Sequence, residues 1–185
     1  MLMLYLISVR ADICEAVRYE KVDRVQAYLA ADTNAANSVV EKQYTPLHFA
    51  AENSSSNGIQ ILKLLLAHGA KVDAKNLIDQ TPLALAAIHN NPEGANILIA
   101  HGAKVDERSG YGMTPLHYAA RNGCFDVAAV LVANHADVNA KCPDGTTPLL
   151  LAYEERQSAK SIGDTNLIER CEKTVALLRE AHARK

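Results

Sequence analysis

Apolar positions in this chain fall into short stripes at helical spacing, separated by polar and glycine-bearing stretches. Thr45-Pro46-Leu47-His48-Phe49-Ala50-Ala51 predicts a short helix that begins at the proline. The pattern returns as Thr81-Pro82-Leu83-Ala84-Leu85-Ala86-Ala87, as Thr114-Pro115-Leu116-His117-Tyr118-Ala119-Ala120 and as Thr147-Pro148-Leu149-Leu150-Leu151-Ala152-Tyr153. The steps between these copies are 36, 33 and 33 residues. A second block keeps the same step and predicts a second helix per unit. It runs from Leu64 to Asp73, from Ile97 to Asp106 and from Val130 to Asn139. Two coupled blocks at one period mark a stacked repeat.

Each residue type has a reason to be where it is. A threonine hydroxyl can cap a free N–H, and proline suits the first helical position because its missing N–H would be unpaired there. The leucine that follows points into the stack, and the Ala-Ala pair lets a neighbouring helix come close. Gly69 and Gly102 end the second helix in the left-handed conformation. In the third copy His135-Ala136 replaces His-Gly, which predicts a slightly strained stop. The first unit is degenerate: Ala11-Asp12-Ile13-Cys14-Glu15-Ala16-Val17 lacks the Thr-Pro start, and its second helix is expected over 22–30. The apolar run Met1–Ile7 is expected to cover the first helices. At the other end a polar stretch, Glu154 to Asp164, is expected before an amphipathic helix from about Asn166 to Ala183. Its apolar face would be Leu167, Ile168, Cys171, Val175 and Leu178. The extra residues of the longer step fall in Asn53-Ser54-Ser55-Ser56-Asn57, read as a surface loop.

The T-P-L-H-x-A-A block followed by a second helix and G-A-x-V-D/N resembles the ankyrin repeat. That resemblance covers nearly the whole chain and implies an all-α solenoid of helix-turn-helix units with projecting, β-hairpin-like finger loops. It divides one domain, 1–185, into about five repeats: an N-terminal cap 8–40, then 41–76, 77–109, 110–142, and a C-terminal cap 143–185.

Composition narrows the function. Apolar residues make up 49% of the chain and charged residues 22%, enough for a continuous core. With no Trp and two Phe, that core is aliphatic. The net charge of −2, without a run of five Lys or Arg, speaks against nucleic acid. No stretch approaches the roughly 20 apolar residues of a membrane span. Cys14, Cys124, Cys142 and Cys171 form no C-x-x-C and read as free thiols of a reducing compartment, which gives a cytoplasmic location.

Candidate chemistry is sparse. His48 and His117 belong to the repeat motif, and in the family such a histidine links neighbouring loops. His68, His101 and His135 read as one repeat position before the turn. Stacked equivalents stand roughly 8–10 Å apart, too far to share a zinc ion. Gly110-Tyr111-Gly112 lacks the third glycine of a nucleotide loop. Cys142 precedes a Pro143-Asp144-Gly145 turn with no base in view, and Glu154-Glu155 reads as a solvated helix end. The expectation is a protein that is not an enzyme and carries no cofactor or metal.

The resemblance implies a protein partner docked on finger tips and exposed first-helix positions of what is expected to be a monomer. Carried over, these are Glu41, Lys42, Tyr44, Glu52 and Asn53, then Leu77, Ile78, Gln80, Ile88 and His89. Repeat four adds Arg108, Gly110, Tyr111, Met113, Arg121 and Asn122, and repeat five Lys141, Pro143, Asp144 and Thr146. Apolar Leu77, Ile78, Ile88, Tyr111 and Met113 replace the usual Asp and Gly and mark repeats three and four as the site. The reading is an adaptor; the alternatives are a regulatory inhibitor or a secreted bacterial effector acting in a host cytoplasm. Asn139 also fits the pattern modified by an asparaginyl hydroxylase.

Overall fold

The computed structural model describes residues 13–183, apart from the side chain of Glu41. The expectations for Met1–Ile7 and for Ala11 and Asp12 lie outside the described residues. Among the described residues ten α-helices follow in order: α1 through 13–18, α2 Val22–Ala31, α3 Pro46–Ala51, α4 Ser56–Ala67, α5 Pro82–Ile88, α6 Pro92–Ala100, α7 Pro115–Arg121, α8 Phe125–Ala133, α9 Pro148–Ile162 and α10 Thr165–Ala183. From α3 onward they pair as α3/α4, α5/α6, α7/α8 and α9/α10. The first helices stack in one layer, α3 on α5 on α7 on α9. The second helices stack in another, α2 on α4 on α6 on α8 on α10. The result is an all-α repeat solenoid.

The local chemistry explains the starts and stops. Pro46, Pro82, Pro115 and Pro148 each open a first helix. The Thr81 and Thr147 hydroxyls accept the N–H of Ala84 and Leu150, both at 3.3 Å. Thr45 and Thr114 cap through a reciprocal box with His48 and His117. Leu47, Leu83 and Leu116 from the first layer and Leu65, Leu98 and Leu131 from the second are fully buried between the layers. Each such leucine contributes about 1.5–3 kcal/mol. Ala51, Ala87 and Ala120 are buried beside them and let the helices approach.

Stops at Gly69 and Gly102 have φ of 76° and 90°, and the third is at His135 with φ 66°. This corrects the histidine register. His68 and His101 give Nδ1–H to the carbonyls of Leu64 and Ile97 four residues back. Their true counterpart is Asn134, whose Nδ2 donates to Val130 O at 2.8 Å. His135 instead occupies the glycine position, so the strain expected at His135-Ala136 sits on the histidine itself.

One loop expectation also changes, and one polar stretch gains a structure. Ser55 accepts the Gly58 N–H as N-cap of α4, so Ser56 and Asn57 lie in that helix and only Asn53 and Ser54 are loop. The stretch Glu154 to Asp164 is helical as far as Ile162, with Ala159 buried and Gly163 at φ 75° ending it. α10 then starts at Thr165, and Thr174 joins Cys171, Val175 and Leu178 on its buried face, while Leu167 and Ile168 are half-buried. Gly123 makes room for this cap. A Cβ there would stand 2.8 Å from Leu167 Cδ1, and Arg170 donates to the carbonyls of Gly123 and Asn122.

Candidate protein-binding surface

The fingers between repeats are hairpin-like loops, and no strand forms among the described residues. Each is closed by a backbone bond from an N–H to the carbonyl four residues on, Val40 to Tyr44, Asn76 to Gln80, Ser109 to Met113 and Cys142 to Thr146, and by a turn bond inside it, Gln43 to Val40, Asp79 to Asn76, Gly112 to Ser109 and Gly145 to Cys142. Neighbouring fingers are tied at their tips. Leu77 N–H donates to Lys42 O at 2.8 Å, and Gly110 N–H to Ile78 O at 2.9 Å. Behind the tips, His48 spans from Thr45 to Gln80 O at 3.1 Å, and His117 from Thr114 to Thr146 O at 3.2 Å. Repeat three has Ala84 at this position and lacks the strut.

The ladder of tips breaks at the last finger. The residue in register with Leu77 and Gly110 is Pro143, which has no N–H to give. Arg108 bridges the seam instead, donating from Nη1 to Gly112 O at 2.7 Å and Lys141 O at 2.9 Å. Beside this seam a groove of about 640 Å³ opens, floored by Met113, Cys142 and Leu151 and walled by Tyr111, Arg121, Pro143, Asp144, Thr146 and Glu154.

The structure sorts the expected contact residues into two kinds. Leu77 is 65% exposed, Tyr111 63% and Ile78 39%, on adjacent fingers whose tips are hydrogen-bonded together. Lys42, His89, Arg108, Gly110, Arg121, Lys141, Pro143 and Asp144 are exposed around them. Tyr44 is half-buried, its ring 5.1 Å from that of Phe49. Glu52 is half-buried beside it, and burial pushes its carboxyl up. Gln80 and Met113 do not belong on the surface: they are 7% and 8% exposed. Gln80 is an internal strut whose Oε1 accepts from Asn76 and whose carbonyl accepts from His48. Met113 reaches a partner only as the groove floor. Ile88 and Asn122 are half-buried and joined, Asn122 Nδ2 donating to Ile88 O at 3.3 Å. Asn53 gives its amide to Glu20.

Asn139 has a structural occupation. In each earlier turn an acidic or amide side chain accepts an N–H of the next repeat: Asn37 from Lys71, Asp73 from Lys104 and Asp106 from Asp137. Asn139 stands in register with Asp73 and Asp106. Its Oδ1 accepts instead from His182 Nδ1 of α10 at 2.6 Å. An enzyme modifying Asn139 would first have to open that contact.

Sequence reasoning passed over Cys142, Leu151 and Glu154 as groove residues. The signal was available in Pro143, whose missing donor falls at the one register position where a donor is needed. The described residues hold no cluster of three or more His, Cys, Asp or Glu able to bind a metal, and no described helix is long and apolar enough to cross a membrane. All four cysteines are free and buried, and burial raises Cys14 to about 12.

A family model described as ankyrin repeats matches three times, over residues 13–109, 55–142 and 105–162. Among known proteins, E3 ubiquitin-protein ligase XB3 of Oryza sativa subsp. japonica is 38% identical over 79 residues. The match spans 42% of this chain and 17% of the ligase.

Proposed function

From the premise that this chain belongs to the ankyrin repeat family, we propose that it is a non-catalytic adaptor that holds a protein partner on the finger tips and adjoining groove of repeats three to five. The observation that carries this reading is the exposure of Leu77, Ile78 and Tyr111 on neighbouring, hydrogen-bonded tips. Fixed large apolar side chains at a surface lose little freedom on binding and gain the burial they lack. The groove beside Tyr111 continues that surface with an apolar floor and charged walls, the anatomy of an interface core and rim. The four buried thiols fit a reducing cytoplasm as the place of action, a host's cytoplasm included. A regulatory inhibitor would use the same surface and differ only in what its target does.

The combined substitution Leu77→Asp and Tyr111→Ala tests the proposal. Affinity purification with mass spectrometry from matched lysates should lose the principal partner, while circular dichroism stays unchanged. Retention of every partner by the folded double variant would move the site elsewhere.

A further inference from the structure

The α9/α10 helix pair carries a charge arrangement that the finger surface does not account for. Tyr153 of α9 is half-buried, and two guanidinium groups lie on its ring. Arg156 Cζ is 5.3 Å from the ring centroid, and Arg179 Cζ, from α10, is 5.4 Å from it. Neither arginine makes an ion pair or hydrogen bond with another described residue, and Arg156 Nε is buried without an acceptor. Arg170 of the same cap shows the contrast, since its donors are taken up by the carbonyls of Gly123 and Asn122. The ring attracts each cation, but the two cations repel each other. Among the described residues the arrangement lacks one thing, an anion paired with either arginine.

This position is separate from the groove. Helical steps of about 100° place Tyr153 and Arg156 roughly 100–160° around α9 from Leu151 and Glu154, which line the groove. We propose that Tyr153, Arg156 and Arg179 form a second binding site, on the α9/α10 pair, that takes a carboxylate or phosphate group on an acidic segment of a protein partner. The planar guanidinium fork matches both oxyanions bidentately, and the half-buried Arg156 is held against the ring before the ligand arrives. An arriving anion offsets the repulsion between the two cations, and the ring supplies a flat apolar wall. A nucleic acid would call for a longer basic stripe than two arginines on a chain of net charge −2.

The test is fluorescence anisotropy at about 150 mM salt, where weak non-specific attraction is screened. The probes are a labelled Gly-Ser peptide bearing one phosphoserine between two glutamates, the same peptide with glutamate in place of phosphoserine, and a serine version without glutamates. The proteins are the full chain, Arg179→Gln, Arg156→Lys, and Leu77→Asp with Tyr111→Ala, each checked by circular dichroism. The acidic peptides should bind the full chain, weaken by roughly tenfold or more in Arg179→Gln and in Arg156→Lys, and bind the finger variant unchanged. Binding of the phosphoserine peptide alone assigns phosphate; binding of both acidic peptides admits carboxylate. The proposal is overturned if no acidic peptide exceeds the serine version, or if folded Arg179→Gln binds as well as the full chain. It is equally overturned if a random DNA duplex competes as effectively as the peptides. Because Arg179 is exposed, its variant tests the site even if Arg156→Lys disturbs the packing of α9 on α10.

Discussion

The Thr114 N–H reaches His117 Nδ1 at 3.1 Å, so that nitrogen is an acceptor and Nε2 carries the proton shared with Thr146 O. His48 is fixed in the same tautomer between Thr45 and Gln80. A second proton on either ring would break its helix cap, and burial lowers both values from 6.5. With a folded-state pKa below the unfolded one, the unfolded chain takes up protons first. Stability from this pair is complete above 6.5 and is lost as the pH falls from there through the folded-state values. Thermal melts should therefore show Tm declining from pH 7 toward pH 5, and replacing both histidines by alanine should flatten that decline. His135 offers the opposite case, a residue whose replacement helps. It holds φ at 66° where Gly69 and Gly102 stand in the earlier repeats. His135→Gly should raise unfolding free energy by about 1 kcal/mol in urea titration, because glycine adopts that conformation without a Cβ clash.

At the scale of the helix pair, the legible parts were those in which one residue has one physical use. Thr-Pro starts, buried leucines and Ala-Ala contacts can be read directly, and Leu116 shows what they are worth. It is fully buried between layers, so Leu116→Ala should cost about 2–5 kcal/mol, read as a drop in denaturation midpoint. The stretch Glu154–Ile162 was read only as polar, and its helix was not foreseen. Glu, Arg, Gln, Ala and Lys are good helix formers, and only Ala159 marks the buried side. His135 was placed one position out of register because His-Ala looks like His-Gly, although the 33-residue step already pairs it with Gly102. Gln80 and Met113 were counted with the surface because finger position alone does not reveal that their carbonyls and side chains are used inside. The groove showed in the sequence only through Pro143, because a missing N–H leaves no apolar or polar pattern.

On the scale of the molecule, the stack is a series of seams, each stabilised mainly by its two neighbours. The turn side is uniform, with Asn37, Asp73 and Asp106 each receiving the next repeat's amide. The finger side is uneven: a tip bond with a histidine strut, then a tip bond alone, then a strut with the Arg108 bridge. Exposed ion pairs such as Lys63–Glu93 add little to this. Apolar binding residues sit on the two tip-bonded seams, which hold them rigid, and the groove sits beside the seam that is not. The tip bonds also make the amide protons of Leu77 and Gly110 natural clocks. Both lie at the outermost points of the fold, where solvent deuterium would ordinarily replace them within seconds. Each can exchange only when its own pair of fingers parts, so hydrogen–deuterium exchange at these two sites times the breathing of each seam separately. Slow exchange at both is the expected result. Exchange at the rate of free peptide would mean that the fingers move independently. Pro143 carries no such clock, and its seam is held instead by Arg108 and the His117 strut.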